Sequence, residues 1–138
     1  MTPKQYLGQA FHLDQRINSK LEMVASLRDM ATKTTSVMSD DVVSHTRNVH
    51  SMQDIITKII EMENGINDDI DALVDLKQEI MQTIFAVKRP EYQTLLELGY
   101  ICFNSWEEIA EKMNCTVSNV FKLHSRALNS VVVPKLGS

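Results

Sequence analysis

The sequence is poor in the residues that interrupt helices. It holds four glycines and three prolines in 138 residues, and aromatic residues make up only 6% of the chain. No segment sustains the alternation of apolar and polar side chains that is typical of strands. Met, Leu, Ile, Lys, Glu and Asp dominate, and 43% of the residues are hydrophobic, which is enough for a core. The composition therefore predicts an all-α protein.

Long apolar runs are also missing. None reaches the roughly 18 residues that a membrane-spanning helix needs. The N-terminus is interrupted by charged residues such as Lys4 and Arg16, so it does not resemble a signal peptide. Cys102 and Cys115 are not in a CxxC spacing, and reduced thiols are favoured over the one disulfide that is possible. We therefore expect a cytoplasmic protein without a membrane partner.

Motifs for catalysis or metal binding are absent as well. The sequence has no nucleophile motif, no Gly-rich phosphate loop and no His/Cys ligand set, so we expect no enzyme, no catalytic residue, no metal and no cofactor. His45 and His50 are interpreted as solvated residues, and His124 as a semi-buried structural residue in preference to a phosphate contact. An acidic cluster does not match the order of a calcium loop and is interpreted as a solvated surface; it comprises Asp68, Asp69, Asp71 and Asp75.

Apolar residues at spacings of three and four predict two long helices. The first covers residues 3–33, with Thr2 as its cap and Pro3 at its first position. The second covers 51–88, opens on a capping-box pattern at Ser51, and has a period of about 3.5 residues, as in coiled coils. Between them, residues 34–50 are predicted to form a polar loop.

The two helices are predicted to fold back into an antiparallel, coiled-coil-like hairpin over residues 1–88. Gly65 within the second helix indicates either a bend or a close helix approach. The second apolar stripe is too wide for the first helix to cover, and leftover apolar surface favours self-association over packing on another protein. The hairpin is therefore interpreted as an oligomerisation region.

Arg89–Pro90 ends this region, because proline cannot continue a helix. Residues 89–138 are predicted to form a separate three-helix unit whose last two helices are capped by Ser105 and Thr116 and joined by a tight turn at Asn114. Such an arrangement is a helix-turn-helix. Residues 115–138 carry three basic and no acidic residues, whereas the rest of the chain is acidic.

The sequence of this unit carries a specific likeness. The segments LLEL at 95–98, WEEIA at 106–110, Thr116 to Val120 and RAL at 126–128 resemble region 4 of bacterial sigma-70-type factors and LuxR-type output domains. Over the whole chain, stretches such as DIITKIIEMENGINDDIDALVDLKQEI resemble small phage and prophage proteins of Gram-positive bacteria, including ArpU- and RinA-type regulators of late transcription. The resemblance implies a phage DNA-binding transcription regulator acting in the bacterial host cell.

In sigma-like units the outward face of the last helix enters the major groove of double-stranded DNA. The resemblance therefore implies a set of DNA-binding residues, of which Val117 and Phe121 are unusual because base-reading positions are generally polar or basic. An alternative follows from them: the unit is a protein-interaction adaptor that docks on RNA polymerase or another phage protein. The implied set is Thr116, Val117, Ser118, Asn119, Phe121, Lys122, Ser125 and Arg126.

Overall fold

The computed structural model describes residues 1–37 and 42–134, with side chains over 1–33 and 51–134. The described part of the chain is helical and contains no strand, so the predicted all-α class is confirmed. None of its helices is both long and apolar enough to cross a membrane. In chain order the elements are α1 (Pro3–Leu7), α2 (Gln9–Val37), α3 (Val42–Phe85), α4 (Pro90–Leu96), a π-helical turn (Glu97–Ile101), α5 (Trp106–Lys112) and α6 (Val117–Asn129).

The predicted start of the first helix is confirmed. Thr2 Oγ1 accepts a hydrogen bond from the backbone N–H of Gln5 at 3.2 Å, and Gln5 Oε1 accepts one from Thr2 N at 3.0 Å, with Pro3 at the first helical position. This reciprocal pair is a capping box. The single helix predicted for residues 3–33 is interrupted at Gly8, which caps α1 through hydrogen bonds to Lys4 O and Tyr6 O.

The predicted polar loop at 34–50 needs correction. Helix α2 continues to Val37 and α3 begins at Val42, so Ser51 lies inside a helix and does not cap one. Residues 38–41 lie outside the described part of the chain, as do the side chains of His45 and His50, on which the prediction of solvated residues depended. The polar composition of 42–50 lowers helix propensity but does not break a helix, because the segment contains neither glycine nor proline.

Packing divides the chain into two compact units. The hairpin unit comprises Gln15–Ala72, and the terminal unit comprises Met1–Asp14 together with Leu73–Ser138. In the hairpin unit Lys20 Nζ lies 2.5 Å from Asp69 Oδ2, and Arg28 pairs with Glu63. As the residue number rises along α2, its partner's number falls along α3, so the predicted antiparallel pairing is confirmed.

The terminal unit contains one continuous hydrophobic core. Leu7 and Ala10 from the first helices, and Ile80 and Ile84 from α3, are completely buried in the same cluster as the helices that follow Pro90. The packing therefore groups both ends of the chain with the last turns of α3, whereas the sequence suggested a division after residue 88. The members of the cluster are Tyr6, Leu7, Ala10, Ile80, Ile84, Val87, Tyr92, Leu95, Leu96, Ile109, Ala110, Val120, Ala127 and Val131.

A short connection leads from α3 into the C-terminal helices. Gln93 Nε2 donates hydrogen bonds to the carbonyl oxygens of Phe85, the last residue of α3, at 3.2 Å, and of Val87, two residues later. Pro90 occupies the first position of α4, as predicted. The helix then widens into the π turn Glu97–Ile101. Phe103 follows with a φ of 57°, which leads the chain into α5.

Candidate nucleic-acid interface

Two capped helices and a tight turn form the motif that the sequence singled out. Ser105 Oγ accepts from Glu108 N at 3.2 Å at the start of α5, and Thr116 Oγ1 accepts from Asn119 N at 3.1 Å at the start of α6. Asn114, between them, has a φ of 54°, in the left-handed region that asparagine tolerates. The N–H of Cys115 bonds to Ala110 O at 3.0 Å and closes the end of α5. Both predicted caps and the predicted turn are thus confirmed.

The two helices meet through small and branched apolar residues. Ile109, Val120 and Ala127 are completely buried, and Ala110 is nearly so. Because alanine has only a methyl side chain, it permits the close helix crossing that a helix-turn-helix requires. These contacts set the direction of α6 and leave one of its faces to solvent.

The outer face of α6 is polar and free of carboxylates. No acidic residue occurs after Glu111, and the exposed residues of α6 include two cations, Lys122 and Arg126. Asn129 was not among the predicted residues, although it lies on the same face, four residues after Ser125 and seven after Lys122. The exposed polar positions are Thr116, Ser118, Asn119, Lys122, Ser125, Arg126 and Asn129.

Two apolar positions of the implied set differ from each other. Val117 was predicted to point outward, but it is partly buried and packs against the hydrophobic core, because the first turn of α6 lies close to the rest of the unit. Phe121 is 50% exposed, and its ring centroid lies 5.3 Å from that of Trp106 at an interplanar angle of 60°. Phe121 and Trp106 thus form a small aromatic patch beside the polar face.

His124 occupies the opposite side of α6. Its Nε2 lies 2.6 Å from the phenol oxygen of Tyr100, their rings stack with centroids 5.7 Å apart, and Trp106 meets the imidazole edge-on at 4.7 Å. The residue is only 8% exposed, so it serves as a structural residue away from the outer face, in agreement with the sequence interpretation.

Burial favours the neutral form of both partners. It raises the pKa of the Tyr100 phenol to about 12, and burial followed by the positive charge of Lys4 lowers the pKa of His124. This contact could not be predicted from the sequence, because Tyr100 reaches His124 from the π-helical turn, and such turns have no pattern of their own.

No described group of three His, Cys, Asp or Glu side chains is arranged to hold a metal ion. Within the acidic cluster of α3, Asp69 pairs with Lys20. Cys102 and Cys115 are free thiols, the first exposed and the second partly buried.

Comparison with known proteins relates the chain to a protein family. No curated protein and no solved structure matches the chain. A family model described as "Protein of unknown function (DUF1492)" matches residues 32–131, which include most of the hairpin unit and the whole helix-turn-helix. The chain belongs to the DUF1492 family.

Proposed function

We propose that this protein is a phage-type DNA-binding transcription regulator of the ArpU/RinA kind, which acts in the cytoplasm of the bacterial host and assembles through its N-terminal helices. The proposal rests on one observation: the solvent-exposed face of α6 carries hydroxyl, amide and cationic side chains and no carboxylate. Such groups bind phosphate oxygens and base edges.

The dimensions of α6 suit the proposed role. Its 13 residues correspond to about 20 Å of helix. The major groove of DNA, about 12 Å wide, accepts one α-helix, and the N-terminal residues of a recognition helix contact the bases. Thr116, Ser118 and Asn119 stand at that end of α6, while Lys122 and Arg126 lie further along, where phosphates flank the groove.

A charge reversal on α6 tests the proposal. In a mobility-shift assay with a mixed-sequence duplex at low salt, we expect K122E/R126E to abolish binding, because two phosphate-facing cations become anions. The double variant K58E/K88E changes the net charge equally at exposed positions outside α6 and is expected to retain binding. Unchanged binding by K122E/R126E would contradict the assignment of α6.

The salt dependence of binding gives a second measure. Neutralising one phosphate contributes about 0.9 to the slope of log K against log salt. We therefore expect K122Q/R126Q to reduce the slope by about 2 for each chain that contacts the DNA. A slope equal to that of the wild type would mean that neither cation neutralises a phosphate.

One observation favours a second candidate function. Phe121, half exposed against Trp106, suits a protein partner better than a phosphate backbone, and the acidic remainder of the chain disfavours DNA. In this adaptor function the unit docks on RNA polymerase or another phage protein. Heparin chromatography at low salt separates the two: retention that K122E/R126E abolishes favours DNA binding. Elution in the flow-through, together with a polymerase pull-down that F121S abolishes, favours the adaptor.

A further inference from the structure

The described side chains of the hairpin unit, 15–33 and 51–72, form a very small core. The buried hydrophobic residues among them are Ile17, Val24 and Ile66. Two packed helices bury only one stripe each, and stable domains normally add a second layer. The described part of the hairpin unit therefore buries little apolar surface, and another layer of helices would bury more.

One face of the hairpin unit is apolar and open. Leu21 and Ile70 lie four residues after buried Ile17 and Ile66 and continue the same apolar stripes, yet they are 48% and 41% exposed. They form the walls of a groove of about 460 Å³ between α2 and α3, with Val24 and Ile66 beneath them. Ile60, which is 54% exposed, lies seven residues before Asn67 of the groove lining and therefore on the same side of α3.

The groove is nearly neutral. Its charged residues, Arg28 and Glu63, pair with each other, and Asn67 is the remaining polar side chain in its lining. A neutral apolar groove disfavours a strongly charged partner, because the partner's charges would lose their hydration without a counter-charge. It fits an apolar helical face of similar width, and the same face of a second copy has that character.

The charges of the two helices determine how a second copy fits. Over 15–33, α2 holds four basic and two acidic residues, a balance of +2, whereas over 51–72, α3 holds one basic and six acidic residues, a balance of −5. Packing α3 against α3 of another copy would bring two acidic helices together. Packing α2 of each copy against α3 of the other copy avoids this contact between acidic helices. A two-fold axis parallel to the helices produces that arrangement.

The available area is sufficient for a dimer. Residues 15–37 of α2 span about 34 Å, and two adjacent helices are about 20 Å wide, so the face measures about 700 Å² per copy before its corrugation is included. A standard stable interface buries about 800 Å² per partner.

From this match we infer that the face bearing Leu21, Ile60 and Ile70 binds the same face of a second copy, which gives a two-fold four-helix bundle with α2 packed against the partner's α3. The inference deepens the proposed function, whose assembly step it specifies. Four-helix bundles are the usual way in which two helical hairpins bury such surfaces.

A charge placed on the face tests the dimer. We expect light scattering of the full chain to give twice the chain mass for the wild type, and the monomer mass for L21E over the same concentrations. M23E is the matched control: Met23 is 56% exposed on the same helix but does not line the groove, so M23E should remain dimeric. A wild-type monomer at high micromolar concentration, or a dimeric L21E with a wild-type helical circular dichroism spectrum, would overturn the inference.

Cross-linking tests the arrangement of the helices and does not depend on the folding of L21E. In a C102S/C115S background, A25C and N67C chains are mixed, refolded together and oxidised. We expect a disulfide-linked dimer between A25C and N67C chains, because both positions line the groove and the proposed axis brings α2 beside the partner's α3. Links between two A25C chains, or the absence of any link in the mixture, would contradict the arrangement.

The mobility-shift assay separates this inference from the proposed function. A wild-type monomer that binds DNA refutes the bundle and the assembly step, and leaves the DNA-binding function intact. A dimer with the expected cross-link that binds no duplex supports the bundle and refutes the regulator.

Discussion

Removing the Tyr100 hydroxyl should destabilise the terminal unit without disturbing its packing. The phenol oxygen lies 2.6 Å from Nε2 of His124, which is 8% exposed. In Y100F the ring and its stacking on the imidazole remain, but the phenol hydrogen bond is lost. A buried polar atom without its partner loses the hydration it would have in the unfolded chain.

The cost is expected to be about 1–3 kcal/mol, the usual penalty for an unsatisfied buried group. For a chain of 138 residues the unfolding entropy is about 0.29 kcal/mol/K, so a loss of about 2 kcal/mol lowers the melting temperature by about 7 °C. S130A is the control. The exposed hydroxyl of Ser130 donates to Arg126 O at 3.3 Å, and water can replace this bond, so we expect a cost of about 0.5 kcal/mol or less.

The same contact makes stability depend on pH. Burial, and then Lys4, lowers the pKa of His124 below its ordinary 6.5 in the folded protein, so at intermediate pH the unfolded chain binds more protons. The stabilisation by neutral His124 is therefore present above pH 6.5 and is lost as the pH falls from 6.5 through the folded pKa. One proton gives a slope of at most about 1.4 kcal/mol per pH unit.

Urea unfolding followed by circular dichroism between pH 5 and pH 7.5 measures both effects. We expect H124Q, whose amide does not titrate, to remove one proton's share of the pH dependence. H12Q removes an exposed imidazole and provides the histidine control. Unfolding of Y100F within about 0.5 kcal/mol of the wild type, or an H124Q profile with the full wild-type slope, would refute the assignment of a buried Tyr100–His124 pair.

Two further predictions concern the folding of the chain. G65A should raise the free energy of unfolding in urea by about 1 kcal/mol, because a Cβ at helical Gly65 meets nothing within 4 Å. G8A is the control and should bring no such gain, because its Cβ would lie 3.1 Å from Lys4 O. A destabilised G65A would contradict the open space beside Gly65. I109A should lower the free energy of unfolding by about 2–5 kcal/mol, since Ile109 is completely buried between α5 and α6. V132A, at an 80% exposed position, should change it by no more than about 0.5 kcal/mol. An I109A chain as stable as the wild type would contradict the described core.

Features fixed by local chemistry could be predicted from the sequence. Thr2, Ser105 and Thr116 cap helices because their side-chain oxygens accept from N–H groups within the next three residues, and Asn114 turns the chain because it tolerates left-handed geometry. Pro90 starts a helix for the same kind of local reason. The helix-turn-helix consists largely of such features, and the sequence accordingly predicted most of its geometry.

Features that depend on distant parts of the chain were not predictable in the same way. The helical state of 42–50 overrides low local propensities, and the π turn that carries Tyr100 to His124 follows from packing. Gly65 shows the limit of a single-residue signal: it suggested a bend or a close helix approach, and the space beside it is open. Leu21 and Ile70 follow the buried period but are exposed, since periodicity identifies a face that favours burial and cannot identify the chain that covers it.

The proposed dimer and the proposed DNA contact depend on each other through charge. One α6 presents two cations, and neutralising two phosphates gives a salt slope of about −1.8, which is weak for a chain with a net charge of −4. Two copies held by the hairpin face would present four, with a slope of about −3.6 and a higher effective concentration of the second unit on the same duplex. L21E should therefore halve the slope while leaving the α6 residues unchanged. A dimeric wild type whose slope equals that of monomeric L21E would mean that only one α6 of the pair touches DNA.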